Sequence, residues 1–397
     1  TTDAAVTPWQ IGDGSGNPVE ATGDEQVELF RSVKAGNGRV EIALTDGGTL
    51  SAAQVNDLSV AGTANCYVVS APGTYVFNAR VRGNGAGEGV GFEPAIEMAD
   101  GMTADWLWTD SEGLVSGVAL DTTSGDIFLT VGEGRGNALV ALMQDGKVVW
   151  SWHVWVTDAP QTMTYGNGTV FMDRNLGAAG TTAGGTDAYG MYYQWGRKDP
   201  FYGGEKTETS ANAFLEAKNG TVVNPAYPAL DWAFSKSATT TDGAAANPMT
   251  FYNDKVGTGY NWLASPNATL WGEAKTLNDP CPPGYRVPGT GAWEDLISGR
   301  QYIDGVSVWD GTNYGMTYTH GGQTAWYPAQ GYRNYSSGAI VGLRSSTGGS
   351  GAYWSAETSS VKSYYLFFRS KLSSSGSINN ELDMNRSYGY TVRCCKE

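Results

Sequence analysis

Charge is scarce in this chain of 397 residues: Asp, Glu, Lys and Arg make up 16% of it, against ~25% in an average soluble protein. The charge present leans acidic, 40 Asp and Glu against 25 Lys and Arg, for a formal net charge of −15. An acidic chain with no Lys/Arg cluster repels phosphate, so nucleic acid is not an expected partner. Histidine is reduced to His153 and His320, a scarcity that suits binding better than catalysis. No apolar run approaches the ~18 residues a membrane-spanning helix needs, so no transmembrane segment is expected. The four cysteines are too few for a disulfide-rich scaffold. Cys66, Cys281, Cys394 and Cys395 also lack the paired C-x-x-C spacing of a zinc site.

Glycine and aromatic residues fill the space that charge leaves. The chain has 55 glycines, about twice the usual ~7%, with no three-residue period, which excludes collagen. Aromatics reach 12%, including 22 Tyr and 14 Trp, the reverse of a disordered composition. A folded, loop-rich, mainly β protein remains. Its length suggests two or three domains. The chain begins at Thr1, so a removed leader or trimming of a longer precursor is expected. Adjacent Cys394 and Cys395 would need a strained eight-membered ring to bond each other. One of them is expected to reach a distant partner, which places the chain in an oxidising compartment.

Residues 1–25 are polar and without clear period, and read as a flexible N-terminal segment. Residues 26–160 carry short β-prone runs separated by Gly, Asn, Asp and Pro, the rhythm of an antiparallel β-sandwich. Asp145-Gly146 predicts a tight hairpin, because both residues accept positive φ. In the strand after it, Trp150, Trp152, Val154 and Val156 share one face, while Ser151, His153 and Trp155 share the other. This alternation points His153 away from the core, as an exposed or hydrogen-bonded structural residue. After Pro160 the texture changes. Residues 161–397 have longer Gly/Ser/Thr loops and one helical stretch, capped by Thr290 and stopped at Gly299. The fold class expected is mainly β with an α+β second half.

Six motifs then occur in order: FMDRNLGA at Phe171–Ala178, YGMYYQWGRKDPF at Tyr189–Phe201, DPCPPGYRVP at Asp279–Pro288, YPAQGYRN at Tyr327–Asn334, YWSAET at Tyr353–Thr358 and VRC at Val392–Cys394. This set resembles the Fibrobacter succinogenes major paralogous domain, a module of Bacteroidetes surface proteins. The family is similar in fold to C-type lectins and to the formylglycine-generating enzymes. The upstream segments Asn65–Phe77 and Trp150–Asp158 resemble the sandwich that often precedes this module, and together the two halves look like a fimbrial protein. The resemblance implies a C-type-lectin-like fold over 161–397, with its ends paired and Cys281 bonded to Cys394. Such a closure would stabilise by ~4–5 kcal/mol in the entropy model. Cys395 departs from the family pattern, and is either a buried thiol or a partner for Cys66.

Several constellations carry candidate chemistry. Asp173, Arg174, Arg197 and Asp199 are expected to form a buried ion-pair and hydrogen-bond network rather than a ligand site. Glu381, Asp383 and Asn385 lie in an oxygen-rich run of the kind calcium takes, although a solvated loop without metal is the favoured reading. Aromatics crowd the stretch from Tyr302 to Tyr335, where Trp309, Tyr314, Trp326, Tyr332 and Asn334 make a candidate glycan groove, with packing beneath long loops as the competing account. No histidine lies in a serine-hydrolase context and no reactive cysteine pair is supported, so no enzyme activity and no cofactor is expected.

The expectation is a non-enzymatic, extracellular subunit at the outer surface or fimbrium of a Gram-negative bacterium, at or near a pilus tip. Neighbouring pilin subunits would bind by strand donation, with host or dietary glycans or surface proteins as further partners. Only Lys396 and Glu397 follow the cysteine that closes the last domain, so a paired final strand would favour a capping position. A free-standing glycan-binding protein is the alternative, and a carbohydrate-active enzyme the third.

Overall fold

A computed structural model describes residues 55–85, 95–203, 221–343, 349–370 and 377–397, together with the strand placement of 27–32, 38–44 and 49–54. The expected flexible segment 1–25 lies outside the described residues. The architecture is mainly β, as composition implied, with one short α-helix among the described residues, at Thr241–Ala246.

Ten strands lead the chain: β1 (Val27–Ser32), β2 (Gly38–Leu44), β3 (Thr49–Asp57), β4 (Cys66–Val69), β5 (Gly73–Asn78), β6 (Met102–Thr109), β7 (Val115–Asp121), β8 (Asp126–Val131), β9 (Gly136–Gln144) and β10 (Lys147–Val156). They form two sheets, one ordered β1-β2-β3-β5-β8-β7 and one containing β6-β9-β10-β4. Phe77, Leu129, Val140, Trp152 and Val154 from the two sheets meet in one apolar core, which makes this part a β-sandwich. The turn at Asp145 (φ 50°) and Gly146 (φ 72°) joins β9 to β10, in the primed geometry that matches the twist of its strands.

The sandwich is not wholly antiparallel. β4 runs parallel to β10, His153 opposite Cys66, and β3 runs parallel to β5. The chain passes between sheets at residues 58–65 and 70–72 instead of turning back within one, so each crossing strand meets its neighbour in the same direction. Among the described residues, strand pairing crosses the boundary expected near Pro160 once. Val222–Val223 pairs with β6, Val222 opposite Thr109, and completes the edge of the second sheet.

Beyond Pro160 the sheets are small. Thr162–Thr164, Val170–Met172, Cys395–Lys396 and Tyr285–Arg286 form one of them, with Phe171 and Arg286 flanking Cys395 on its two sides. The start and end of this half therefore pair, and Cys281 is bonded to Cys394 with Cα atoms 5.9 Å apart. The expected helix is a 3₁₀ turn, Thr290–Leu296, whose N-cap is Gly289. The Thr290 hydroxyl donates to Glu357 instead of capping. Gly299 (φ 56°) sits with Arg300 (φ 65°) in the turn of a small hairpin and is not a helix stop. Among the described residues no helix is long and apolar enough to cross a membrane.

The second sheet of the sandwich is covered on both faces. Its outward residues Trp108, Leu139, Met143 and Trp155 belong to the same core as Leu176, Trp195, Phe201 and Trp232 of the second half. This gives three layers, with the β9–β10 hairpin in the middle one.

Candidate functional site

The six motifs converge in the interior. Asn175 donates through Nδ2 to Gln330 Oε1 (2.8 Å) and to the Tyr353 hydroxyl (3.1 Å), and its Oδ1 accepts from Arg393 Nε and Nη2 (3.0 and 2.8 Å). Gln330 closes the network by bonding both the N–H and the C=O of Gly190. A side chain at Gly190 would place its Cβ 2.6 Å from Leu176 O, so only glycine permits this approach. The Arg393 guanidinium stacks 3.8 Å from the Tyr327 ring centroid. Five motifs thus share one buried polar cluster. The sixth supplies Asp279, whose carboxylate holds Lys275 Nζ, Cys281 N and Val287 N.

The first two motifs also dock the second half onto the sandwich. Gly177 O accepts from Asn137 Nδ2 (2.9 Å), Ala178 O from Trp155 Nε1 (2.9 Å), and Arg174 donates to the Thr157 hydroxyl (2.8 Å). Ser151 Oγ donates to Asp199 Oδ1, and Lys198 Nζ reaches both atoms at 2.6 Å. Burial lowers the Lys198 pKa, and neighbouring Asp199 opposes that shift. The expected charge network is present, and Arg174 pairs with Asp173 at 2.8 Å within it. Asp199 pairs with Lys198, a residue the sequence reading did not single out. Arg197 instead donates to Thr250 O and Pro248 O and lies over the Phe201 ring at 4.9 Å.

His153 is the hydrogen-bonded residue of the two alternatives expected. It does face away from the sandwich core, yet it is buried, because the second half covers that face. Its Nε2 lies 2.8 Å from Asn137 Oδ1 and its Nδ1 3.3 Å from the Tyr193 hydroxyl. Asn137 spends its NH₂ on Asp110 and Gly177 O, so its Oδ1 accepts, Nε2 carries the proton, and Nδ1 accepts from Tyr193. Burial drops the His153 pKa to about 3. The signal that would have found this is β9, where Ala138–Met143 is apolar without alternation, as in strands covered on both faces.

The residues expected to form a glycan groove do not share one surface. In the sheet of Ser307–Asp310, Gly315–His320 and Gln323–Pro328, Trp309 is in line with Met316 and Tyr327. Trp326 is in line with Thr317 and Val308, so the two indoles lie on opposite faces. Trp309 packs toward Phe368, while Trp326 covers Gly315 and is itself buried. Tyr314 (φ 53°) sits in the hairpin loop. Tyr332 belongs to another sheet and packs against Tyr388 and Tyr390, while Asn334 lies just beyond that strand, its Oδ1 accepting from Ser336. Packing claims these aromatics because the loops above them carry few aliphatic residues.

Glu381, Asp383 and Asn385 lie on the strand Ile378–Asn385, not in a loop, since that segment pairs along Lys362–Arg369. Asp383 forms an ion pair with Lys362 at 3.2 Å. Among the described residues no group of three His, Cys, Asp or Glu is placed to hold a metal ion. Cys66 and Cys395 are separate buried thiols, and burial raises both pKa values, that of Cys395 to about 11.

A cleft of about 280 Å³ opens where the two halves meet. From the sandwich come Asp110, Arg135, Gly136 and Asn137; from the second half come Gly177, Thr186, Asp187, Tyr189 and Tyr202 among others. Asp110 is fixed by Asn137 Nδ2 at 2.7 Å, and Asp187 accepts from Thr182 Oγ1 at 2.8 Å. Arg135 stands at the exposed rim, paired with Asp158. No protein family, curated protein or solved structure matches this chain. The site must therefore be read from its own chemistry. It joins residues far apart in sequence, and composition and local motifs carry no signal for such a junction.

Proposed function

We propose that the chain is a non-enzymatic, extracellular adhesion subunit of a bacterial surface fibre, in a tip or accessory position. The carrying observation is the joining of the two halves into one clasped body. Cys395–Lys396 is paired on both edges, and the preceding Cys394 is bonded to Cys281. The fused three-layer body supports a display role, because docking through Ser151, Lys198 and Asp199 holds the two halves as one unit. The disulfide suits an oxidising compartment. The most strongly shifted ionisable groups, among them His153 and Tyr193, are sealed in the interior, where no substrate reaches them. The ordered motifs and their resemblance to a surface-protein module point the same way.

Immunogold labelling of the source bacterium with antibodies to the folded chain tests this reading. Label on surface fibres, concentrated at their ends or at sparse positions, is the expected result. Label confined to the cell interior would overturn it.

A further inference from the structure

We infer that the cleft at the junction of the two halves is a binding site for a neutral saccharide of one or two sugar units. The assignment rests on the adhesion reading and deepens it. A volume of about 280 Å³ lies just under the lower bound of drug-sized ligand pockets, about 300 Å³, and suits a small ligand. The lining mixes polar roles. Asp110 and Asp187 bring carboxylates, Arg135 and Thr186 bring donors, and the half-buried Tyr189 brings a ring. A sugar hydroxyl both donates and accepts, so such a mixture matches a polyol. A cation would be served by acceptors alone, and an anion is opposed by the two carboxylates.

Preorganisation favours the same reading. Asp110 is held by Asn137, whose remaining amide groups are committed to Gly177 O and His153. Asp187 is held by Thr182 on one side, and its backbone carbonyl accepts from Gly180 N. Both carboxylates are thus oriented before any ligand arrives, which reduces the ordering cost of binding. The floor is shaped by Gly136 and Gly177. At Gly177 (φ 86°) an added Cβ would lie 2.5 Å from Met191 Cγ and 3.0 Å from Asn137 Oδ1. A side chain there would displace the amide that fixes Asp110.

The test uses the full chain and saturation-transfer NMR with calorimetry. The probes are lactose, cellobiose and maltose, with sialyllactose as the anionic probe and spermidine as the cationic one. At least one neutral disaccharide is expected to bind. Tyr189→Ala should weaken that binding about ten-fold, the loss of a stacked ring, and Asp187→Asn, nearly isosteric, should also weaken it. Val308→Ala, on an exposed strand edge elsewhere, should leave it unchanged. Far-UV circular dichroism melts identify any variant that fails to fold, and Asp187→Asn keeps the test decisive if Tyr189→Ala does. Absence of binding by all three neutral probes, binding of a charged probe alone, or binding that neither cleft variant weakens overturns the assignment. A chain that labels surface fibres but binds no neutral saccharide overturns the cleft assignment alone.

Discussion

Acid should loosen the junction between the two halves through one residue, His153. The ring is buried and neutral, donating from Nε2 to Asn137 and accepting at Nδ1 from Tyr193. Burial lowers its pKa from 6.5 to about 3. In the unfolded chain the same imidazole takes a proton below about pH 6.5. Between those two values the unfolded state binds the proton and the native state does not, so stability falls as pH falls. The slope approaches ~1.4 kcal/mol per pH unit. From pH 6.5 to 4.5 the accumulated loss is therefore about 2–3 kcal/mol, a large share of the ~5–15 kcal/mol that holds a typical domain.

His153→Gln separates this effect from the carboxylates that titrate in the same range. Its amide can donate to Asn137 and accept from Tyr193 but cannot take a proton. Urea unfolding at pH 7.5, 6.5, 5.5 and 4.5 should show the wild type losing about 2–3 kcal/mol more than the variant between pH 6.5 and 4.5. The His153 ring signal in NMR should not titrate above pH 4.5. Parallel pH profiles for the two proteins, or a ring titrating near 6.5, would falsify the argument.

Two further outcomes follow from the same framework. Lys198→Met should cost about 3–5 kcal/mol, because it leaves the Asp199 carboxylate buried without its cation. Lys198→Met with Asp199→Leu should recover most of that loss, and equal losses in the single and double variants would refute the pairing. Replacing both Cys281 and Cys394 by Ser should lower stability in denaturant titrations by about 4–5 kcal/mol, since the bond closes a loop whose ends are 113 residues apart. A change below about 1 kcal/mol would show that the unfolded chain gains little freedom without it.

Local patterns made the sandwich legible. Turn formers flank the β-prone runs that become β4 and β8, and Asp145-Gly146 marks its hairpin. The motifs were legible as structure, since charges set among aromatics in a charge-poor chain read as a buried network. The partners within that network were not legible. Nothing local distinguishes Lys198 from Arg197 as the mate of Asp199, because the choice depends on where β10 presents Ser151. The candidate groove failed for a similar reason. Trp309 and Trp326 are close in sequence, but a one-residue offset in register decides the face on which each side chain stands. The cleft drew on residues from Asp110 to Tyr202 that become neighbours only after docking.

Low overall charge and a densely polar interior have one cause in this fold. Loops rich in Gly, Ser and Thr supply little aliphatic surface, so the second half fills its interior with Trp and Tyr rings. Each ring brings an N–H or O–H that needs a partner when buried. Many of those partners are backbone carbonyls: Trp195 bonds Ser355 O, Trp262 bonds Trp195 O, and Trp354 bonds Tyr193 O. Asn175, Gln330 and Arg393 reach carbonyls and hydroxyls deeper in the motif cluster. The few charges spent inside are then fixed by geometry, and their motif sequences look like a site although they are scaffold. The saccharide site we infer is left to the junction, where the scaffold holds Asp110 and Asp187 in place and Tyr189 is among the lining residues.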